Sequence, residues 1–273
     1  MDLKFKEDFI ALWRRFFNDA ELPLAFYYTN EEGRAELAKP GSVPRCVIAA
    51  ISLAREGRAF CFDAESVGCF GGKRYLGFSE EVTRDFEYFL SCGIPGKLEG
   101  ERYKKTPEIV ARSVKLAPSF KAPTRFIVFK RWDLLEESDE PDVVIFFAVP
   151  DVLSGLFTLA GFDEAESNIV FTPFGSGCSS IVQYPYLERV STHPRAVIGL
   201  FDVSARPYVP SNTLSFSVPM PKFERMVENM EESFLVTNSW KSVQKRIKVR
   251  EANPASVVTK SAQSYAKGHV SKR

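Results

Sequence analysis

The run Asp142-Val143-Val144-Ile145-Phe146-Phe147-Ala148 constrains the fold more than any other stretch, because every residue after the first is apolar. A strand wet on one side alternates apolar and polar residues, whereas a strand covered on both faces does not. A central strand inside a layered sandwich is therefore expected. Arg125-Phe126-Ile127-Val128-Phe129 is the second clear strand. Leu24–Tyr28, Ala59–Phe62, Ile169–Thr172, Ala196–Phe201 and Thr213–Val218 are shorter runs of the same kind, bounded by turn residues.

Helical spacing appears between them. Phe5, Phe9, Leu12, Trp13 and Phe16 share one face of 2–18. Val47 to Ala54 stops at Gly57, Pro107 to Leu116 opens on proline, and Val152 to Gly161 follows Pro150-Asp151. Ser79-Glu80-Glu81 caps an expected helix through Val82, Phe86, Phe89 and Leu90, and Lys222 to Phe234 forms another. About seven strands interleaved with about six helices predict an α+β (mixed α/β) sandwich. A strand runs through proline into a helix twice, at 142–161 and 213–234. One domain over 1–238 is expected, with room for two related halves, 1–120 and 121–238.

The 273 residues, 45% of them hydrophobic, are enough to bury a large core, and 24 phenylalanines fit packing better than base stacking. The start lacks a signal-peptide pattern and no apolar run is long enough for a membrane span, so a cytoplasmic protein without membrane contact is expected. There, five cysteines are reduced, metal-bound or reactive rather than paired. The net charge of +1 hides an asymmetry. Residues 241–273 hold nine Lys/Arg and one Glu, a balance of +8, which leaves −7 on residues 1–240. Residues 239–273 read as a basic, mobile tail. With two aromatics and no recognisable module, that tail fits a solubilising terminus better than a nucleic-acid contact.

Three thiols share a local context. Cys69 is followed by Phe70-Gly71-Gly72-Lys73-Arg74, Cys46 opens a helical run after Pro44-Arg45, and Cys178 follows Gly175-Ser176-Gly177 before another. Helix N-termini favour anions and lower thiolate pKa values. Soft thiolates at such positions suit an iron–sulfur cluster, or else zinc. The cysteines are 23 and 109 residues apart, so no short Cys-x-x-Cys clip is present. Isolated buried cysteines used as apolar filler are the competing reading, and Cys61 and Cys92 are read that way. A thiol enzyme needs a base, and the two histidines, His193 and His269, have no evident partner. Cys178 activated by Arg206 or by its helix terminus would instead be a redox thiol. Gly71, Gly72, Lys73, Arg74, Gly175, Gly177 and Arg206 together also suit a pocket for a small anionic ligand, although no phosphate-loop consensus is met.

The phrase Cys69-Phe-Gly-Gly followed by Leu76-Gly77-Phe78, with Cys46 upstream, Pro141 to Phe147 and then Cys178 before Tyr184-Pro185-Tyr186, resembles the uncharacterised ArCR family, numbered 169 among domains of unknown function. The likeness runs roughly from residue 10 to 235 in motif order. It implies a shared fold unit and a further cysteine in the strand before the last helix. Here 199–206 contains none, and Asp202 is the nearest substitute. The combined expectation is an iron–sulfur or other thiophilic metal site at Cys46, Cys69, Cys178 and Asp202, in a redox or ligand-binding role with a small ligand or redox partner. A non-metal anion-binding protein and a thiol-dependent enzyme are the alternatives, and oligomeric state is left open.

Overall fold

In the computed structural model, which describes residues 1–32, 34–39 and 43–247, the chain begins with helix α1 (Leu3–Phe17) and strand β1 (Leu24–Thr29). It continues through β2 (Glu36–Leu37), α2 (Val47–Ala54), β3 (Phe60–Phe62), α3 (Phe70–Tyr75), α4 (Phe86–Phe89), α5 (Pro107–Leu116) and β4 (Phe126–Arg131). After these come β5 (Val143–Ala148), α6 (Pro150–Ala160), β6 (Val170–Phe171), a π-helical turn (Ser179–Gln183) running into α7 (Tyr184–Glu188), β7 (Ala196–Gly199), β8 (Leu214–Pro219), α8 (Met220–Glu228) and α9 (Asn238–Gln244). The α+β class is as expected, with eight strands rather than seven. No helix among the described residues is long and apolar enough to cross a membrane.

All eight strands join one mixed sheet in the order β2-β3-β4-β1-β5-β8-β7-β6. The order divides at its centre into two equivalent halves. From the outer edge inward, the first half reads β2, β3, β4, β1 and the second β6, β7, β8, β5. The outer pair is parallel in both, over two residue pairs. The next is antiparallel over three, and the inner one antiparallel over six. β1 and β5 meet antiparallel, with Ala25 opposite Val144. An approximate twofold axis perpendicular to the sheet at that point reproduces every strand order and direction. The strands of the first half end at Arg131 and those of the second begin at Val143. The repeated strand-proline-helix units at β5-α6 and β8-α8 both lie within the second half.

β5 is covered on both faces, as its composition requires. Val144 and Phe146 pack with Phe9, Trp13 and Phe223 under α1, α6 and α8. Val143, Ile145 and Phe147 face the opposite layer, where Val47, Ile48 and Ile51 of α2 meet Ile181, Val182 and Tyr186. Each fully buried side chain of this size is worth about 1.5–3 kcal/mol relative to exposure, so this central strand anchors both layers.

Two segments depart from their sequence pattern. The helix expected from Ser79 is reduced to the four residues of α4, because Asp85 takes a left-handed φ of 62° and Val82 and Phe89 stay exposed. Without a core to receive its apolar face, so short a helix does not propagate. The polar stretch read as a loop before Cys46 supplies edge strand β2.

The chain after residue 238 is packed as far as Ile247. Trp240 of α9 is buried, its indole N–H donates to the Phe16 carbonyl at 2.8 Å, and its ring meets Phe17 and Phe234. One tryptophan in a polar context carried too weak a periodic signal to mark a helix. The expected tail from 239 is therefore corrected for residues 239–247, and residues 248–273 lie outside the described residues. Trp240→Ala is expected to lower stability by about 3–5 kcal/mol in urea unfolding, where an unpacked terminus would show almost none.

Candidate functional site

Each half of the sheet offers the same two positions to the site. One is the start of the helical crossover between its two parallel strands. In the first half Cys46 holds the N-cap of α2, and in the second Cys178 immediately precedes the π-helical turn. The other is the loop leaving the inner strand of the parallel pair. Cys69 caps α3 after β3, and Asp202 follows β7. The approximate twofold axis therefore matches Cys46 with Cys178 and Cys69 with Asp202. No sequence spacing contains that relation, since it arises only when the two sheet halves meet at β1 and β5.

These four groups are close enough to sense one another. Burial pushes the Cys178 thiol well above its ordinary value, and Cys46, Cys69 and Asp202 push it further. Burial also raises the Cys46 thiol. The backbone N–H groups of Ala49 and Ile48 partly offset this without forming a capping hydrogen bond of regular geometry, and Cys69 and Asp202 add to the rise. The Cys69 sulfur accepts the Gly72 N–H at 3.5 Å. Asp202 accepts the Gly177 N–H at 3.1 Å through Oδ2, which ties its loop to the Cys178 turn. Its Oδ1 accepts the Ser204 N–H and hydroxyl at 3.0 and 2.8 Å.

The glycines beside the thiols serve close packing. A Cβ on Gly72 would lie 2.7 Å from Val47 Cγ2, and one on Gly177 would lie 3.0 Å from Ile48 Cγ1 and 3.2 Å from Ala205 Cβ. Hydrogen atoms at these positions let α3, α2, the Cys178 turn and the Asp202 loop approach each other. Gly72→Ala is expected to lower stability by about 1–3 kcal/mol in chemical denaturation, with the strain located at Val47.

The residues read as an anion cradle are arranged differently. The N–H groups of Gly72 and Gly177 are spent on Cys69 and Asp202. Gly71 packs beside Tyr75, and Gly175 abuts Ser179. Arg74 donates to the Glu80 carbonyl, while Lys73 is half-buried in the last turn of α3. Arg206 donates to the carbonyls of Thr213 (2.5 Å), Ser211 (2.7 Å), Pro210 (3.0 Å) and Leu200 (3.4 Å), so its guanidinium fixes the loop after Asp202. A cavity of about 660 Å³ opens between Asp63, Gly77, Lys121 and Arg125, and no thiol lines it.

Two tyrosines join the site without having been singled out in the sequence. The Tyr75 hydroxyl pairs with Ser176 and senses Cys178, and its pKa is raised, chiefly by burial. Tyr103 reaches Ser204 and senses Asp202. Tyr75 ends α3, the helix that Cys69 caps, whereas Tyr103 arrives on a separate loop with no spacing signal. Cys61 is buried, donates to the Ala35 carbonyl at 3.6 Å and is pushed up to about 11 by burial and Asp63, in keeping with a filler. Cys92 is exposed and does not fit that reading. His193 sits in an exposed turn, and His269 lies outside the described residues.

Among the described residues, no group of three or more His, Cys, Asp or Glu side chains is set to hold a single metal ion. The thiols share a neighbourhood without meeting at a point. A family profile described as uncharacterised ArCR matches residues 18–229. No curated protein and no solved structure matches the chain.

Proposed function

Since this chain belongs to the uncharacterised ArCR family, whose match spans both halves of the sheet, its activity has to be argued from its own site, and we propose that Cys46, Cys69 and Cys178, with Asp202 as the fourth group, bind an iron–sulfur cluster. The observation that carries this reading is that Cys46, Cys69, Cys178 and Asp202 come within electrostatic reach of one another on two equivalent pairs of turns. There, Cys69 and Asp202 oppose the ionisation of the Cys46 and Cys178 thiols, and a cationic metal centre removes that opposition. The donor set fits such a group. Thiolates are its usual ligands, and N–H groups directed at the sulfurs of Cys69 and Cys46 are the kind of contact that tunes its potential.

A cluster makes a looser demand on spacing than zinc does. Four ligands on one zinc draw their sulfurs to about 3.8 Å apart, from Zn–S bonds of about 2.3 Å, whereas a polynuclear centre spreads them by a few ångströms more. A carboxylate at one corner binds iron less firmly than a thiolate and leaves a position that substrate or solvent can enter. The role supported best is redox chemistry or ligand binding at that corner.

Anaerobic purification followed by absorption spectroscopy and iron and sulfide analysis tests the proposal. Iron with acid-labile sulfide, and visible absorption that bleaches on reduction, is the expected result. A folded, colourless protein free of iron and sulfide overturns it. One zinc per chain without sulfide overturns the cluster and keeps the thiols as ligands.

A further inference from the structure

The turns that carry the thiols also carry exposed apolar side chains. Phe70 follows Cys69, Phe174 leads into the Cys178 turn, and Phe201 and Val203 flank Asp202; they are 67%, 71%, 57% and 69% exposed. A phenyl group left in water forgoes the gain of burial, and several on the turns of one site differ from the isolated exposed residue that needs no explanation. Residues 102–105 link them. The Lys104 ammonium lies 3.8 Å from the centroid of the Phe174 ring, and Tyr103 meets Ser204 beside Asp202.

The charge around this apolar rim runs against that of the body. The stretches 43–46, 65–75, 99–105, 172–178 and 201–206 hold seven Lys/Arg against four Asp/Glu, while residues 1–240 together carry −7. Exposed aromatic groups on stretches with a net positive balance, on an otherwise acidic body, form a surface complementary to an acidic protein with an apolar centre.

We propose that this rim around the thiol site docks a small acidic electron-carrier protein. The proposal rests on the cluster reading above, since a redox centre near the surface is what such a carrier would serve. An anionic bilayer fits less well. The apolar groups come from separate short turns rather than from one amphipathic helix, and Asp202 and Glu101 among them would face like-charged headgroups. A protein interface can leave those carboxylates wet at its edge.

The test titrates a small acidic ferredoxin into the full chain and reads binding by calorimetry at low and high salt. Saturable micromolar binding is expected, weakening at least about tenfold between roughly 20 and 300 mM salt. The Phe174→Ser/Phe201→Ser variant should weaken it about tenfold, and Lys104→Glu should slow association. Phe157→Ser, at an exposed phenylalanine of α6, should change nothing. Absence of binding at low salt, or equal binding by all variants, overturns the proposal. So does binding to phosphatidylserine vesicles in place of the ferredoxin. Iron and sulfide analysis of the same samples separates the two readings. Docking by metal-free chain condemns the cluster alone, and a cluster-bearing chain that does not dock condemns this proposal alone.

Discussion

Cys178→Ala is expected to abolish cluster retention, and Asp202→Cys to increase it. Cys178 is buried and senses Cys46, Cys69 and Asp202, so its loss removes a donor coupled to all the others. A site reduced to two thiols and a carboxylate has too few soft ligands to hold iron firmly. Asp202→Cys works in the other direction. The approximate twofold places this position opposite Cys69, and a fourth thiolate there completes a four-cysteine set. Iron and sulfide per chain after anaerobic reconstitution and desalting provide the readout. The expected order is Asp202→Cys, then the parent chain, then Cys178→Ala near zero. Equal iron in all three, or iron retained by Cys178→Ala, rejects the ligand assignment. Asp202→Ala belongs beside them, because it loses the Gly177 tether while adding no sulfur. Its retention should fall below the parent. Loading should also rise with pH, because burial and mutual repulsion hold the Cys46 and Cys178 thiols protonated in the metal-free chain, and binding must release those protons.

A stability effect as large as that of Trp240→Ala is expected far from the site. Lys130 on β4 is buried, and its ammonium donates to Asp139 Oδ2 and Oδ1 at 2.9 and 3.2 Å and to Glu136 at 3.1 Å. Asp139, also buried, further accepts the Tyr27 hydroxyl and the Glu136 N–H. Asp139→Ala leaves the buried lysine with only the exposed Glu136 as a charged partner, at a cost of about 3–5 kcal/mol. The double variant Lys130→Met/Asp139→Leu removes both charges and should lose less than the single one. Urea midpoints compare them, and an equal loss in both would reject the charge argument. The same carboxylate carries a pH dependence. Burial opposes its ionisation, but the Tyr27 hydroxyl, the Glu136 N–H and Lys130 together outweigh burial and lower its folded pKa. A lowered folded value means the contribution is present at every pH above the ordinary carboxylate range. It is lost as the pH falls below about 4 and through the folded value. The acid limb of a stability profile should therefore flatten in the double variant.

The strands were legible because their residues leave little choice. Val143–Ala148 has no polar side chain to turn toward water, and Leu24–Thr29 and Phe126–Arg131 are rich in aromatic and β-branched residues. Helices announced themselves where caps and apolar spacing agreed, as at Pro107–Leu116, where Thr106 accepts the Ile109 N–H. The Ser79 segment had a cap and a periodic stripe, yet no part of the core lies opposite that stripe. Trp240 shows the converse, a helix held by one buried ring that periodicity could not see.

Residue types alone determined that this chain builds a layered mixed sheet, and that three thiols stand at turns beside glycine or proline. Those properties are local, since they depend on what one segment can bury or which φ it can adopt. Which thiols share a neighbourhood was decided by the tertiary structure. Cys46 and Cys178 are 132 positions apart in the chain, and the antiparallel junction of β1 and β5 joins the two halves edge to edge so that their crossover starts come within electrostatic reach. Strand pairing at that distance is fixed by the complementarity of whole faces, a property of the assembled sheet that no single segment contains.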